Sequence, residues 1–362
     1  MKCVTVLGAR PQFVKAAPVS AAMIEAGTDE ILVHTGQHFD YEMSQVFFDE
    51  LNIPEPKYNL AISGGSHGRM TGRMLEAVEA VIEKERPDCI LVYGDTNSTL
   101  SGSLAAAKLH VPVAHMEAGI RSYNKNMPEE INRILTDHVS SLLLCPSDTA
   151  VVNLQKEGIN DGVMMVGDVM ADAAMLANRI VKDDPDYLPK IEGFDWDQGY
   201  DLLTLHRAEN TDKKSRIESI FEALNNIENP LIFPIHPRTR NEIAKADIFL
   251  ADNIITCEPL SYLSMTALMN RALRVFTDSG GLQEETTALG IPCITLRENT
   301  ERPITVLEGT NTIVGCDPDL ILKVAFDVLE GNGKAGRIPD LWDGKTSSRI
   351  ADVILQYIEN GD

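Results

Sequence analysis

The sequence predicts an α/β protein built from two domains, each with its own parallel sheet. Short apolar runs rich in β-branched residues alternate with helical patterns along the chain, as in α/β proteins. The runs lack the polar alternation of half-exposed strands, which is typical of parallel strands covered on both faces. A segment rich in Asp, Pro and Gly, Asp183–Gly199, separates two halves of similar size.

The predicted elements follow one another in the same alternation in both halves. Strands of the first half are predicted at Val4–Leu7, Ile31–His34, Cys89–Tyr93, Val111–His115, Leu142–Cys145 and Val163–Val166. Strands of the second half are predicted at Asp201–Leu205, Leu231–Ile235, Ile254–Cys257, Arg274–Thr277, Cys293–Leu296 and Thr312–Val314. Helical periodicity is clearest at Pro11–Ala26, Thr71–Lys84, Leu282–Leu289 and Ser347–Glu359.

These elements set the expected domain organisation. We expect a first domain over residues 1–180, which a C-terminal helix at 346–362 rejoins, and a second domain over residues 181–345. Ligands of open parallel sheets bind at the carboxyl ends of the strands. The strand ends of the two sheets are therefore expected to face each other across a cleft.

Composition excludes several classes of protein. The chain has 362 residues, of which 44% are hydrophobic and 24% charged, so it is neither disordered, collagen-like nor a disulfide scaffold. The formal net charge is −22, which argues against a nucleic-acid partner because such proteins need a basic surface. A local cluster of cations and backbone N–H groups can still bind an anion.

The sequence also predicts where the protein is located and whether it binds a metal. The apolar run at the N-terminus is too short for a signal peptide, and no stretch approaches the ~18 apolar residues of a membrane span. The six cysteines lack Cys-x-x-Cys spacing and sit in or beside apolar runs, so we expect buried, reduced thiols in a cytoplasmic protein. The eight histidines lack HExxH spacing, so no metal site is predicted.

The segment GARPQFVK at residues 8–15 is a candidate phosphate site. It follows the first predicted strand and opens a helix, with Pro11 suited to the first turn. Arg10 can bind two phosphate oxygens at once, and Lys15 adds a point charge one turn later. The alternative is a tight turn, which Gly8 permits, carrying two solvated cations. The fingerprints of NAD and ATP sites are absent from this segment.

The segment DSGG is a second anion candidate. Ser279 follows a predicted strand and can cap the next helix, while Gly280 and Gly281 allow close approach to free N–H groups. Glu285 could then hold the two hydroxyls of a ribose. The alternative for Glu285 is an acid that compensates the helix dipole.

Acids and histidines follow other predicted strands. Asp95 and Glu117 each come directly after one, and Glu129 opens a helix after Pro128. Acids crowded at one sheet edge push each other's pKa apart and upward, which suits proton transfer. The alternatives are a helix cap at Asp95 and an ion pair of Glu129 with Arg133.

His206 and His236 follow two adjacent predicted strands of the second half. A lone loop histidine is usually only a hydrogen-bonded residue, but two at neighbouring strand ends favour a functional site. Together the residues describe an enzyme that binds a phosphorylated, ribose-bearing ligand mainly on its second half. That is a nucleotide-sugar enzyme without NAD.

A set of collinear motifs resembles a known family. From Val4 to about Val314 the chain carries GARPQFVKAAPV, TGQHFDYEM, YGDTNSTLSG, HMEAGIRS, MPEEINRILTDH, VGDVMAD, LHRAENTD, HPRTR, DSGGLQEE and TERPITVLEGT. In this order they resemble the non-hydrolysing UDP-N-acetylglucosamine 2-epimerases. The resemblance implies two Rossmann-like domains in the glycosyltransferase-B arrangement, a cytoplasmic homodimer and no cofactor.

The resemblance also implies an activity. The family interconverts UDP-GlcNAc and UDP-ManNAc by removing the C2 proton and expelling UDP. The 2-acetamidoglucal so formed is reprotonated on the other face of C2, and UDP adds back. By the same resemblance, the catalytic residues are Asp95, Glu117, Glu129 and His206. The residues that bind the UDP-sugar are Arg10, Lys15, Arg133, His236, Ser279, Gly280, Gly281 and Glu285.

The chain departs from the family pattern in two places. Members that a second UDP-GlcNAc activates hold it partly through residues matching Gln37, His38 and Arg69, but Met70 replaces the Gln that follows the arginine. The loss of this amide argues against activation by a second UDP-GlcNAc. GARPQF and HRAEN replace the more frequent GTRPE and HRREN.

The second departure leaves the substrate open. GARPQF is similar to the same segment of relatives that epimerise UDP-2,3-diacetamido-glucuronic acid. Arg207 or Arg238 could bind the carboxylate of that sugar. The segment from Thr300 to Pro303, by contrast, is similar to the GlcNAc enzymes. A transferase of the same fold, a hydrolysing relative and a non-enzymatic sensor are the other interpretations. The three acids have no explanation in a transferase.

Overall fold

The structure is a computed structural model, which describes residues 1–38, 45–182 and 184–360. The strands of these residues are β1 Lys2–Leu7, β2 Asp29–His34, β3 Tyr58–Asn59, β4 Cys89–Tyr93, β5 Val113–Met116, β6 Leu142–Cys145, β7 Val163–Met165, β8 Asp201–Thr204, β9 Leu231–Pro234, β10 Ile254–Cys257, β11 Val275–Thr277, β12 Cys293–Thr295 and β13 Asn311–Ile313. The helices are α1 Arg10–Glu25, α2 Gln45–Leu51, α3 His67–Glu85, α4 Asn97–Lys108, α5 Pro128–Val139, α6 Asp148–Lys156, α7 Val169–Val181, α8 Ala208–Thr211, α9 Lys214–Leu224, α10 Pro237–Ala246, α11 Tyr262–Arg271, α12 Gly280–Leu289, α13 Pro303–Leu307, α14 Pro318–Leu329 and α15 Thr346–Asn360.

The chain divides into two compact units. The first unit contains Met1–Ala173 and the chain from Leu341 onward, and the second unit contains Ala174–Asp340. Helix α15 returns the chain to the first unit, where it packs against α1. The carboxylate of Asp172 accepts the N–H groups of Thr346 and Ser347 at 3.2 and 2.7 Å and so caps α15. The last two residues of the C-terminal helix predicted at 346–362 lie outside the described residues.

Both units arrange their strands in one parallel order. The first sheet runs β3-β2-β1-β4-β5-β6-β7 and the second runs β10-β9-β8-β11-β12-β13. In each sheet the winding reverses beside the first strand, between β1 and β4 and between β8 and β11. Such a switch point opens a crevice at the carboxyl ends of the strands, where ligands bind. The predicted α/β class with parallel sheets is confirmed.

The cores explain the continuous apolar runs. In the first unit the branched side chains of β1 and β4, among them Val4, Val6 and Ile90, are fully buried under helices. The second core is built similarly around Phe233 and Phe276. Strand β3 was not predicted, because two residues are too short to give a periodic signal.

The cysteines agree in part with the predicted burial. All six are free; four are buried, and Cys257 and Cys316 are partly buried. None of the helices in the described part of the chain is long and apolar enough to cross a membrane.

Candidate active site

The side chain of Gln12 connects the two loops at the switch point of the first unit. Its Oε1 accepts the N–H groups of Gly8 and Ala9 at 2.8 and 3.0 Å, at the end of β1. Its Nε2 donates to the carbonyl oxygen of Tyr93 at 2.8 Å, at the end of β4, and lies within hydrogen-bonding distance of the Thr96 hydroxyl at 3.0 Å. The buried amide therefore fixes the two loops to each other, a role that the sequence did not predict.

Gly8 is needed for packing rather than for a turn. A Cβ at this position would collide with the hydroxyl oxygens of Thr35 and Ser98. Its φ is not positive, so close contact with Thr35 and Ser98, and not a left-handed backbone, accounts for the glycine.

Arg10 lies at the exposed start of α1. Its backbone N–H donates to His38 Nδ1 at 3.0 Å, and its guanidinium lies 5.3 Å from the centre of the Phe47 ring. Gln37 accepts a hydrogen bond from the Ser98 hydroxyl at 3.0 Å. The Gln-His pair thus contacts the loops of this switch point, whereas Arg69 is exposed on α3.

Lys15 and Glu117 form a buried ion pair. The ammonium Nζ lies 2.5 Å from Glu117 Oε2, and both side chains are less than one-tenth exposed. An opposite charge at this distance favours the ionised carboxylate. The sequence analysis assigned these residues separately, to phosphate binding and to catalysis, and the structure brings them together.

Glu117 has an unusual backbone. It follows β5 with φ of +66°, and Gly119 two residues later has φ of +77°. A non-glycine residue in this region costs about 1–3 kcal/mol and persists only where its surroundings impose it. Gly94 lies opposite, and a Cβ there would be 3.1 Å from Glu117 Oε2. The close approach of the carboxylate therefore disfavours a side chain at position 94.

A second cluster of charged side chains surrounds Arg133 on α5. Its guanidinium contacts Asp95 Oδ2 and donates to Glu130 Oε2 at 2.9 Å. Glu130 also accepts the N–H groups of Ser122 and Tyr123 at 2.9 and 2.8 Å. Burial alone would raise the pKa of Glu130, but these N–H groups and Arg133 hold it below its usual range. Glu130 is therefore an ionised anchor for the loop after β5.

Glu129 differs from its neighbour. It lies half-buried in the first turn of α5, and its carboxylate has no hydrogen bond or ion pair with another described residue. The alternative explanation of Glu129, an ion pair with Arg133, does not hold, because Arg133 binds Asp95 and Glu130 instead. Asp95 and Glu117 are paired with separate cations, Arg133 and Lys15.

Behind these acids lies a buried network that sequence reasoning missed. His115 Nδ1 lies 2.6 Å from Asp137 Oδ1, and His115 Nε2 lies 2.7 Å from the carbonyl oxygen of Gly94. Asp137 Oδ2 accepts from Arg121 Nη1 at 2.7 Å and from the Gly119 N–H at 3.1 Å. The available signal was the short spacing of His115 and Glu117 at the end of a predicted strand.

A carboxylate connects the two loops at the switch point of the second unit. Asp278 is fully buried and accepts the backbone N–H groups of His206 and Arg207 and the amide of Asn210, at 2.9–3.2 Å. His206 Nδ1 lies 3.2 Å from Asp278 Oδ1. Asp278 thus fixes the loop after β8 to the end of β11 and orients the imidazole of His206.

The Ser-Gly-Gly turn, Ser279 to Gly281, follows directly. Ser279 caps α12 by accepting the Leu282 N–H at 3.5 Å, as predicted. The N–H groups of the first helical turn point out of this end, where an anion is favoured. Glu285 is buried, and its Oε1 lies 3.7 Å from where a Cβ on Gly281 would stand. The carboxylate therefore borders the turn.

Arginines beside the turn are paired with acids. Arg207 Nη1 lies 3.3 Å from Glu301 Oε1, and Arg207 Nη2 lies 3.6 Å from where a Cβ on Gly280 would stand. The guanidinium of Arg297, followed by that of Arg207, lowers the pKa of Glu301 to about 2.

Near the end of β9, Arg238 Nη2 lies 2.5 Å from Asp212 Oδ1. His236 caps α10 by accepting the Arg238 N–H at 3.2 Å. Within the described residues no group of three or more His, Cys, Asp or Glu could hold a metal ion.

Comparison with known proteins identifies relatives of this chain. Residues 22–355 match the family model described as UDP-N-acetylglucosamine 2-epimerase. A UDP-2,3-diacetamido-2,3-dideoxy-D-glucuronate 2-epimerase of Pseudomonas aeruginosa is 50% identical, with 98% of this chain and 100% of that protein covered. A UDP-N-acetylglucosamine 2-epimerase of Methanocaldococcus jannaschii is 44% identical, with 98% of this chain and 99% of that protein covered.

Solved structures show the same likeness. The crystal structure of the M. jannaschii UDP-GlcNAc 2-epimerase in complex with UDP-GlcNAc and UDP has a TM-score of 0.83 at 41% identity, covering 99% of this chain and 100% of that one. The enzyme from Neisseria meningitidis bound to UDP-GlcNAc has a TM-score of 0.86 at 31% identity, covering 98% and 100%.

Proposed function

The chain belongs to the UDP-N-acetylglucosamine 2-epimerase family, and from this premise we propose how its residues divide the reaction. It is an isomerase that inverts C2 of a UDP-2-acetamido sugar, with UDP-GlcNAc and UDP-ManNAc as the first candidates. The C2 proton is removed, the C1–O bond to UDP breaks, and a glycal forms. A proton then enters C2 from the opposite face, and UDP adds back at C1.

Proton transfer is assigned to the acids of the first unit. Glu117 carries this proposal, because it combines a left-handed backbone, burial and an ammonium partner at 2.5 Å. An ionised, immobile carboxylate is suited to accept a proton from carbon. Asp95 and Glu129 are the other proton carriers, since inversion needs access to both faces of C2. Arg133 positions Asp95 through their ion pair.

Binding of UDP is assigned chiefly to the second unit. The Ser-Gly-Gly turn supplies N–H groups for the diphosphate, and the buried Glu285 borders it as the ribose-binding acid. His206, oriented by Asp278, stabilises charge on the departing diphosphate, as preorganised donors do in other enzymes. Arg10 and Lys15 in the first unit and His236 in the second remain assigned to the substrate.

UDP-2,3-diacetamido-glucuronic acid is the second candidate substrate, which the P. aeruginosa relative at 50% identity favours. A uronate needs a cation near C6. Arg207 and Arg238 were the candidates for that cation, and each already pairs with an acid, Glu301 and Asp212. The segment from Thr300 to Pro303, which is similar to the GlcNAc enzymes, keeps the neutral sugar as the first choice.

Proton NMR in deuterium oxide tests the proposal. The enzyme is incubated with UDP-GlcNAc and, separately, with the diacetamido-glucuronate, and Glu117→Gln serves as the matched inactive control. The expected product is the C2 epimer with deuterium at C2, formed from one sugar faster than from the other. Free ManNAc and UDP would indicate a hydrolase, and the absence of C2 exchange with both sugars would contradict the assignment.

The family resemblance also predicts a homodimer in the cytoplasm. The six free cysteines fit a reducing compartment. Light scattering during size-exclusion chromatography measures the dimer directly, and a monomer at micromolar concentration would contradict it. Gln37, His38 and Arg69 stand as the remnant of an activator site, for which a hyperbolic substrate curve is expected because Met70 lacks the amide.

A further inference from the structure

His115 and Asp137 have no assigned part in the reaction, although both lie against the turns that carry two proposed catalytic acids. We propose that His115, held by Asp137, is a positioning residue that fixes Asp95 and Glu117 for proton transfer. This inference rests on the proposed function, since it concerns the same acids.

The first bond fixes the turn before Asp95. His115 lies on β5 beside Val92 of β4, and its Nε2 meets the carbonyl oxygen of Gly94 at 2.7 Å. Gly94 has φ of +62° and immediately precedes Asp95. A carbonyl oxygen only accepts, so Nε2 carries a proton and donates to it. The orientation of the peptide that leads into Asp95 is therefore set by the imidazole.

The second bond fixes the turn after Glu117. Asp137 Oδ2 accepts the N–H of Gly119 at 3.1 Å and thereby holds the left-handed turn that begins at Glu117. Its other oxygen, at 2.6 Å from His115 Nδ1, holds the imidazole. One carboxylate thus links both turns.

The charges of the network make this arrangement rigid. Burial alone would raise the pKa of Asp137, but His115 and Arg121 hold it below its usual range, so the carboxylate is an acceptor. Both nitrogens of His115 therefore face oxygen atoms that can accept a hydrogen bond. Arg121 is fixed in turn by two bonds to Glu157, at 2.7 and 2.8 Å. A buried network with these partners leaves the imidazole no alternative orientation.

Two substitutions at His115 separate its two bonds. The amide nitrogen of Gln can take the place of ring Nε2 and keep the bond to Gly94, whereas that of Asn takes the place of Nδ1 and keeps only the bond to Asp137. Both remove the same buried ring, so both are expected to lower the thermal midpoint similarly. We expect His115→Asn to lower kcat on the order of 10²-fold with KM nearly unchanged, because a small misplacement of catalytic groups has this effect. His115→Gln should recover most of kcat.

The same assay separates the possible failures. Deuterium incorporation at C2 and epimer formation are measured for wild type, both His115 variants and Asp137→Ala, which removes the acceptor of the Gly119 N–H and should also lower kcat. If the wild type exchanges no C2 hydrogen, the proposed function fails. If the wild type is active but the two His115 variants have equal kcat, or if their losses lie in KM, the positioning role is overturned.

Discussion

In the first unit a neutral amide, Gln12, joins the loops after β1 and β4, whereas in the second unit a carboxylate, Asp278, joins the loops after β8 and β11. The strand order is the same in both sheets, so the two side chains occupy equivalent switch points. Two sheets with the same strand order can therefore use side chains of different charge to connect the loops at their switch points.

The difference follows from what each switch point holds. The first needs both an acceptor for the N–H groups of Gly8 and Ala9 and a donor to the Tyr93 carbonyl oxygen, and an amide supplies both. The second needs only an acceptor, because Asp278 binds the N–H groups of His206 and Arg207. This contrast fits the proposed function, in which the first unit moves protons and the second binds an anion.

The largest test of this division is Glu117→Gln. Removal of the carboxylate should lower kcat about 10³-fold, within the range for loss of a general base. Binding of UDP, measured by calorimetry, should be unchanged because the Ser-Gly-Gly turn is intact. Glu83→Gln, at an exposed position of α3, is the control and should behave as wild type. Loss of UDP affinity in Glu117→Gln would break the division between the units.

Gln12→Glu makes the first switch point resemble the second. The new carboxylate cannot donate to the Tyr93 carbonyl oxygen as the amide does. We therefore expect the free energy of unfolding at pH 7 to be about 2–3 kcal/mol lower. Because the buried carboxyl has a raised pKa, its protonated form restores a donor and the deficit should shrink as the pH falls toward 5. Urea unfolding at the two pH values measures this. A deficit independent of pH would show that the charge at this position is unimportant.

Gly281→Ala tests the second unit alone. A Cβ there meets its nearest neighbours at 3.7 and 3.9 Å, so the fold accepts it, and α12 should gain about 0.5–1 kcal/mol from replacing glycine. A diphosphate lying against the backbone would meet the methyl group, so UDP affinity should fall about tenfold, or 1.4 kcal/mol. Gly72→Ala on α3, where a Cβ meets nothing within 4 Å, is the control. Unchanged UDP affinity would remove the turn from the binding site.

The smallest expected effect is on acid stability. The lowered pKa of Glu130 contributes stability that is present above about pH 4.3, the ordinary glutamate value, and is lost as the pH falls through the lowered value. Glu130→Gln should therefore be less stable than wild type at pH 7, with the difference narrowing in acid. Thermal unfolding between pH 7 and pH 3 checks this, and parallel curves would contradict it.

The sequence predicted the strands well because a buried parallel strand is almost wholly apolar, as in β4 and β6. It also placed the catalytic and anion-binding candidates at strand ends. It did not predict which side chains meet, such as Lys15 and Glu117, because residues 102 positions apart become neighbours only through tertiary packing.

Roles that depend on backbone geometry were likewise missed. Gln12 looked like an ordinary helix residue, and Asp137 lies 22 residues from the His115 that it holds. Nothing in local periodicity reports a bond to a carbonyl oxygen or a positive φ outside glycine. The substitution of Gln for the more frequent Glu at position 12 was visible, but its meaning required the Tyr93 carbonyl oxygen beside it.

The return of the chain to the first unit through α15 sets an order of events on the ribosome. All of β8–β13 is synthesised before Thr346 emerges, so the second sheet can assemble while the first unit still lacks its last helix. Until then the surface of α1 that α15 covers stays open to water, and Asp172 has no N–H groups to cap. A nascent chain arrested before that point would expose an unfinished first unit to chaperones and proteases, although it was the first to be made.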